Sequence, residues 1–232
     1  MTSSNFPDGV TNASEETVFG RMTFPDPTAY HTYFNDFDVY TAGDWVVTET
    51  DAGATQALTA GNGGLLLITN TAADNDLVEL QKTPAAFTLA AGKKAWFAAK
   101  FQLSDVTQND LMVGLVVVNT DPINTPPTDG IYFLSADGVA TAQIICRKNA
   151  TTGSIAATVP GLTLVNATQV ALQWYYDGAG KLFYGYNGNQ VGVLDVSNYF
   201  PDTGLTVTFA MQAGEIGAET ATVDYLFAAL ER

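Results

Sequence analysis

A chain of 232 residues, 47% hydrophobic and only 14% charged, suits one large β domain or two small ones and has enough apolar material for a real core. Its formal net charge of −15 argues against nonspecific binding to nucleic acid or to an anionic membrane surface. Cys146 is the only cysteine, which excludes an internal disulfide and any cysteine-rich zinc site within these residues.

Residues 1–40 show neither the period of two of a strand nor the 3.6 of a helix. Pro7-Asp8-Gly9 and Phe24-Pro25-Asp26-Pro27 are turn or extended signals. Apolar side chains are nevertheless scattered through this stretch, among them Phe6, Val10, Val18, Phe19, Phe24, Tyr30 and Tyr33. A merely disordered tail carries few aromatics, so the stretch reads as an extended arm that buries side chains against its own domain or another subunit. One short helix is expected over 27–35, with Pro27 in its first turn. The arm opens with no basic region and no apolar run, so no signal peptide is expected, and no stretch reaches the ~20 apolar residues of a membrane-spanning helix.

Strand signals begin at Asp44 and continue to the end. Runs over 44–50, 65–69 and 77–80 are separated by Gly- and Asp-rich turns. Across 95–103, Ala95, Phe97, Ala99, Phe101 and Leu103 form one apolar face. The run 111–118 is almost wholly apolar and belongs in the middle of a sheet. Residues 121–129, with three prolines, are a loop. Strands follow over 130–134, 141–148 and 154–159. The stretch 168–195 is the most explicit of all. Val170, Leu172, Trp174 and Tyr176 alternate with Ala171, Gln173 and Tyr175. Asp177 to Gly180 supplies a reversal, 182–186 a second strand, Asn187-Gly188 a type I′ turn and 190–194 a third strand. Strands over 205–211 and 221–229 close the chain. A dozen or so strands with no long helix define an all-β sandwich or barrel, organised as an arm (1–40) and one β domain (41–232).

The search for chemistry is short. Asp74, Asp76 and Glu79 are the densest acidic cluster and are expected on the solvated surface, as are Glu215 and Glu219. The Glu-x-Asp-x-Glu strand of β-sandwich glucanases is absent. Asp36, Asp38 and Asp44 lack the spacing of a calcium loop, and no glycine-rich phosphate cradle opens a helix. Cys146 lies in a strand-like run far in sequence from His31, the only histidine, and reads as a small buried hydrophobe rather than a nucleophile. No enzyme activity, metal or cofactor is therefore expected. The aromatics leave one binding idea, a sheet face on which Trp96, Tyr175, Tyr184 or Tyr186 stack against sugars.

The series Gly130-Ile-Tyr-Phe, 170–178 and 182–191, in which a strand, an Asp-Gly turn, a strand and an Asn-Gly turn succeed one another, resembles the concanavalin A-like (laminin-G-like) jelly roll, from about Phe37 onward. Three further segments, 5–13, 24–37 and 217–225, resemble parts of tailed-bacteriophage structural proteins, in particular head decoration (cement) proteins. That resemblance implies a non-catalytic virion component, made in the host cytoplasm and placed on the outer capsid surface. Its partners would be the major capsid protein and two further copies of itself in a homotrimer, with no nucleic acid or membrane. Phe6, Pro7, Val10, Val18, Phe19, Phe24, Tyr30 and Tyr33 would form the capsid or subunit interface. The alternative is a lectin-like adhesion module on the virion or tail that binds host or environmental glycans.

Overall fold

The computed structural model describes residues 28–61, 63–149 and 151–232. The expectations placed on residues 1–27, the interface roles of Phe6, Pro7, Val10, Val18, Phe19 and Phe24 included, lie outside the described residues. Sixteen strands are present among them: β1 (Tyr30–Asn35), β2 (Trp45–Glu49), β3 (Thr55–Thr59), β4 (Leu65–Thr69), β5 (Leu77–Lys82), β6 (Phe87–Thr88), β7 (Ala95–Leu103) and β8 (Asn109–Val116). The second half adds β9 (Gly130–Ser135), β10 (Gln143–Lys148), β11 (Gly153–Thr158), β12 (Val170–Tyr176), β13 (Lys181–Tyr186), β14 (Asn189–Asp195), β15 (Gly204–Ala213) and β16 (Thr220–Glu231). A single 3-10 turn, Ala42–Asp44, is the helical content of the described residues.

The strands form two antiparallel sheets. Sheet A runs β14–β13–β12–β7–β16–β4–β3, with β1 also on β16; sheet B runs β11–β10–β9–β8–β15–β5–β2, with β6 also on β15. β16 is long enough to hold β7 along one side while β4 and β1 share the other: Thr220 to Val223 pair with β4, and Leu226 to Glu231 with β1. β15 plays the same part in sheet B, between β8 and the pair β5 and β6. The fold is thus an all-β jelly-roll sandwich.

Alternation builds the core. Ala95, Phe97, Ala99, Phe101 and Leu103 of β7 are all buried, as are Val170, Leu172, Trp174 and Tyr176 of β12. The facing sheet supplies Val78, Leu80, Leu111, Val113, Leu115, Ile131, Phe133, Val207 and Phe209. Trp174 lies fully buried against Phe97, ring centroids 6.0 Å apart, and Phe101 meets Phe209 across the sheets at 5.8 Å. The 170–195 meander forms as its residues predict. Asn187 and Gly188 hold φ of 49° and 79°, the two positive values a type I′ turn requires. The Asn187 side chain adds a hydrogen bond from the Ala171 N–H at 2.9 Å.

Two expectations change. Residues 30–35 are a strand rather than part of a helix, because the free side of β16 offers a full row of backbone partners and β-branched or aromatic residues suit it. Sheet A therefore starts at Tyr30, ten residues before the expected end of the arm, and Tyr33 turns inward toward Trp45, 6.3 Å between rings. Strands β3 and β6 were not visible in the sequence: β3 is an exposed edge with little apolar alternation, and β6 has only two residues.

Replacing Trp174 with Ala removes the largest fully buried side chain and is expected to cost about 3–5 kcal/mol. Tyr175→Ala, one residue along and on the opposite face, is expected to cost clearly less. Urea unfolding followed by far-UV circular dichroism compares the two; equal losses would mean that the core face is misassigned.

Candidate functional site

The outer face of sheet A is built by the side chains that the core leaves over. When β7 sends Phe97 and Ala99 inward, Trp96, Ala98 and Lys100 go outward. On β12 the same logic turns Gln173 and Tyr175 outward, and on β13 Phe183 and Gly185, with Gln173 and Gly185 covered by their neighbours. Register then lines them up. Phe183 pairs with Tyr175, Tyr175 with Trp96, Trp96 with Ala229 and Ala229 with Thr32. Tyr30, two residues from Thr32 on β1, closes on the far side of Trp96. Four rings lean on one another in a continuous rail. Centroid separations are 6.0 Å for Phe183–Tyr175, 5.2 Å for Tyr175–Trp96 and 5.2 Å for Trp96–Tyr30, all within the range of favourable aromatic contact.

A second row runs beside the rail: Gly185, Gln173, Ala98, Phe227 and Phe34. Phe227, Ala98 and Ala229 form a small apolar cluster of their own, joined by Trp96 and Tyr225. Phe34 and Val193, at opposite ends of the face, are each 51% exposed. Polar groups flank this apolar strip. Lys100 pairs with Asp224 at 2.6 Å. The Gln173 side-chain amide is buried with its Nε2 unpartnered. Burial, then Asp177, Tyr30 and Glu231 nearby, raise the Tyr175 phenol above its ordinary pKa. Burial and Asp224 push Tyr225 up to about 12. Both phenols therefore stay neutral hydroxyls through the physiological range, able to donate and to accept hydrogen bonds.

Of the four expected stacking residues, Trp96 and Tyr175 share this face. Tyr184 and Tyr186 do not. Tyr184 is 4% exposed in the core, where its ring occupies the space that a side chain at Gly192, its cross-strand partner, would fill. Tyr186 packs inward too and donates its hydroxyl to the Gly161 carbonyl at 3.0 Å. Period two assigns Tyr175 and Tyr184 to opposite faces once they are placed on neighbouring strands, and the sequence alone does not reveal which residues pair. Phe183, which the sequence does not single out, and Tyr30, expected at a capsid or subunit interface, complete the rail.

Of the expected surface acids, Asp74 and Glu215 are exposed, whereas Asp76 and Glu79 are buried. Asp76 is fully buried and works as a local clamp, accepting hydrogen bonds from the Thr71 N–H at 2.6 Å and the Asp51 N–H at 3.1 Å. Glu79 is fully buried on the outer side of sheet B, under the loop 117–129. The other outward carboxylate of the sheet B strands is Asp110 on β8, two strands away and offset by a residue pair, so the backbones of the two stand roughly 12 Å apart. Asp110 already accepts the Asp137 N–H at 2.8 Å. On β9, the outward positions are Gly130, Tyr132 and Leu134, without a carboxylate. Among the described residues no group of three or more His, Cys, Asp or Glu is placed to hold a metal ion.

No protein-family profile matches the chain, and no curated protein matches it in sequence. Solved structures do match in shape. An endo-1,3-β-glucanase from Streptomyces sioyaensis superposes with a TM-score of 0.62 at 14% identity, covering 89% of this chain and 98% of that one. The Emp47p carbohydrate recognition domain does so with a TM-score of 0.60 at 13% identity, over 88% and 98%. The lectin UEA-II, complexed with galactose, gives 0.55 at 10% identity, over 87% and 99%. These likenesses establish the concanavalin A-like lectin and glucanase jelly roll expected from the residues after Phe37, and at such identities they speak to the fold. Most of the residues that would serve a capsid contact lie outside the described ones.

Cys146 is fully buried, its thiol donates to the Tyr199 carbonyl at 3.3 Å, and burial holds its pKa far above the ordinary range. Iodoacetamide is expected to leave it untouched in the native protein and to alkylate it fully in denaturant, as read by intact mass. Rapid native labelling would mean that β10 opens readily.

Proposed function

We propose that the chain is a non-catalytic carbohydrate-binding domain and that the outer face of sheet A receives the glycan. The carrying observation is the rail Phe183–Tyr175–Trp96–Tyr30, an aromatic strip that crosses the sheet outside the core. Sugar rings have apolar C–H faces that pack against aromatic side chains, while their hydroxyls need donors and acceptors alongside. The Tyr30 and Tyr175 hydroxyls, the Lys100–Asp224 pair and Glu231 stand beside the strip to serve them. The net charge of −15 favours neutral glycans over polyanionic ones. Fold neighbours that include a carbohydrate recognition domain and a galactose-complexed lectin support the reading, although a shared fold alone does not assign a function. On the resemblance of the N-terminal segments to phage structural proteins, we further place this face on a virion, as an adhesion module.

Affinity electrophoresis through neutral polysaccharides (laminarin, mixed-linkage β-glucan, galactan, dextran), with alginate as the anionic control, tests the proposal. At least one neutral polymer is expected to retard the protein. Trp96→Ala and Tyr175→Ala are each expected to weaken retention roughly ten- to a hundredfold, the equivalent of about 1.5–3 kcal/mol of buried aromatic surface. Tyr184→Phe, in the core, is expected to bind normally. Retention that survives the Trp96/Tyr175 double replacement would remove the rail from the function.

A further inference from the structure

The outer face of sheet B carries a different device. The loop 117–129 leaves β8, folds back over the sheet and returns to β9. It is braced internally: the Asn119 side-chain amide donates to the Thr125 carbonyl at 2.8 Å, and the Thr125 N–H to the Asp121 carbonyl at 2.8 Å. It is tied down at three points, one of them Asp129, whose Oδ1 accepts the Asn149 N–H at 3.2 Å. The Asn119 N–H donates to Gln81 Oε1 at 3.2 Å, and Ile123 packs onto the apolar cluster that includes Leu77, Met112 and Tyr132. Gln81 is itself held by the Thr208 hydroxyl, 3.0 Å from its Nε2.

Next to Gln81 on the same face of β5 lies Glu79. It is fully buried, and neither carboxyl oxygen has a hydrogen-bond partner. A buried carboxylate without partners is among the most costly arrangements in a protein; a protonated carboxyl is far less so. The cross-strand neighbours on this face, Thr48 of β2 and Ala210 of β15, are uncharged. On β5 itself the charged group is Lys82, whose ammonium is engaged by the Thr83 carbonyl. Farther out on the sheet stand Asp110, Tyr132 and Arg147, and the end of the loop carries Asp129. The charge that bears on Glu79 is Asp121, on the loop, and it is of the same sign. Burial first, and Asp121 second, raise Glu79 to about 8.

We propose that loop 117–129 is a proton-held lid, shut over the outer face of sheet B while the Glu79 carboxyl keeps its proton and released when that proton leaves. The direction follows from linkage. Shut, Glu79 holds its proton up to about pH 8; uncovered and solvated, it loses it near the ordinary value of 4.5. Closure is therefore fully favoured below pH 4.5, weakens as pH rises from there, and is weakest above 8, where the new negative charge also faces Asp121. Opening bares the Tyr132 and Met112 surface together with the side chains of Gln81 and Thr208, a second, polar-edged face distinct from the aromatic rail.

Hydrogen exchange of the loop amides, read by mass spectrometry on the whole chain at a series of pH values from 5 to 9.5 and corrected for intrinsic rates, tests this. Loop protection is expected to fall by about tenfold for each pH unit between the two pKa values and to level off above pH 8, while β8 and β15 keep theirs. Glu79→Gln, neutral at every pH, is expected to hold the loop shut throughout. Asp121→Asn is expected to move the levelling-off point to lower pH, and Asp110→Asn to leave the profile unchanged. Loop protection independent of pH in the wild type would overturn the proposal. So would the same fall in Glu79→Gln, or a full return of protection at pH 9.5 on adding calcium, which would make the pocket a cation site instead.

Discussion

The structure depends on the register of β7 between β12 and β16. That strand has apolar residues on both faces, and hydrogen bonding to two long partners decides which set is buried. A slip of one residue would send Phe97 and Phe101 into solvent and pull Trp96 and Lys100 into the core. The cost of burying Lys100, and the loss of the Phe97–Trp174 and Phe101–Phe209 contacts, make the observed register the stable one. Because β12 and β16 are set by β7, so is every residue of the aromatic rail.

The two outer faces solve the same problem in opposite ways. Each sheet has more apolar residues than its inner face can use. Sheet A stacks the surplus sideways, ring against ring across neighbouring strands, and leaves the strip partly in solvent with charges along its margin. Sheet B covers its surplus with a loop, and under that loop closes in a carboxyl that water can no longer reach. Apolar strips left in solvent usually mark contact surfaces, which is why the proposed glycan site is set on sheet A. A covered face with one uncompensated acid has instead the makings of a condition-dependent opening.

Much of the fold was legible because period two is a local property. The apolar alternation of 95–103 and 170–176, the Asn187-Gly188 turn and the near-continuous apolar run that became β8 each follow from a few consecutive side chains. Where the local signal was weak, as in the exposed β3 and the two-residue β6, the strands could not be read. The helix expected over 27–35 gives way to β1 because the neighbours of 30–35 in space, not in sequence, make it a strand: β16 lies almost two hundred residues away in the chain.

The site divides along the same line. From the residues themselves came an all-β sandwich or barrel, a surplus of aromatics on its strands and two of the rail residues, Trp96 and Tyr175, while the jelly roll came from a resemblance of pattern. Only the tertiary structure decided that Phe183 and Tyr30 join them, that Tyr184 and Tyr186 belong inside, and that Asp76 and Glu79 are buried rather than solvated. The physical reason is that side-chain alternation is written along one strand, whereas which strands are neighbours, in what register and under which loop is settled by contacts between residues far apart in the chain.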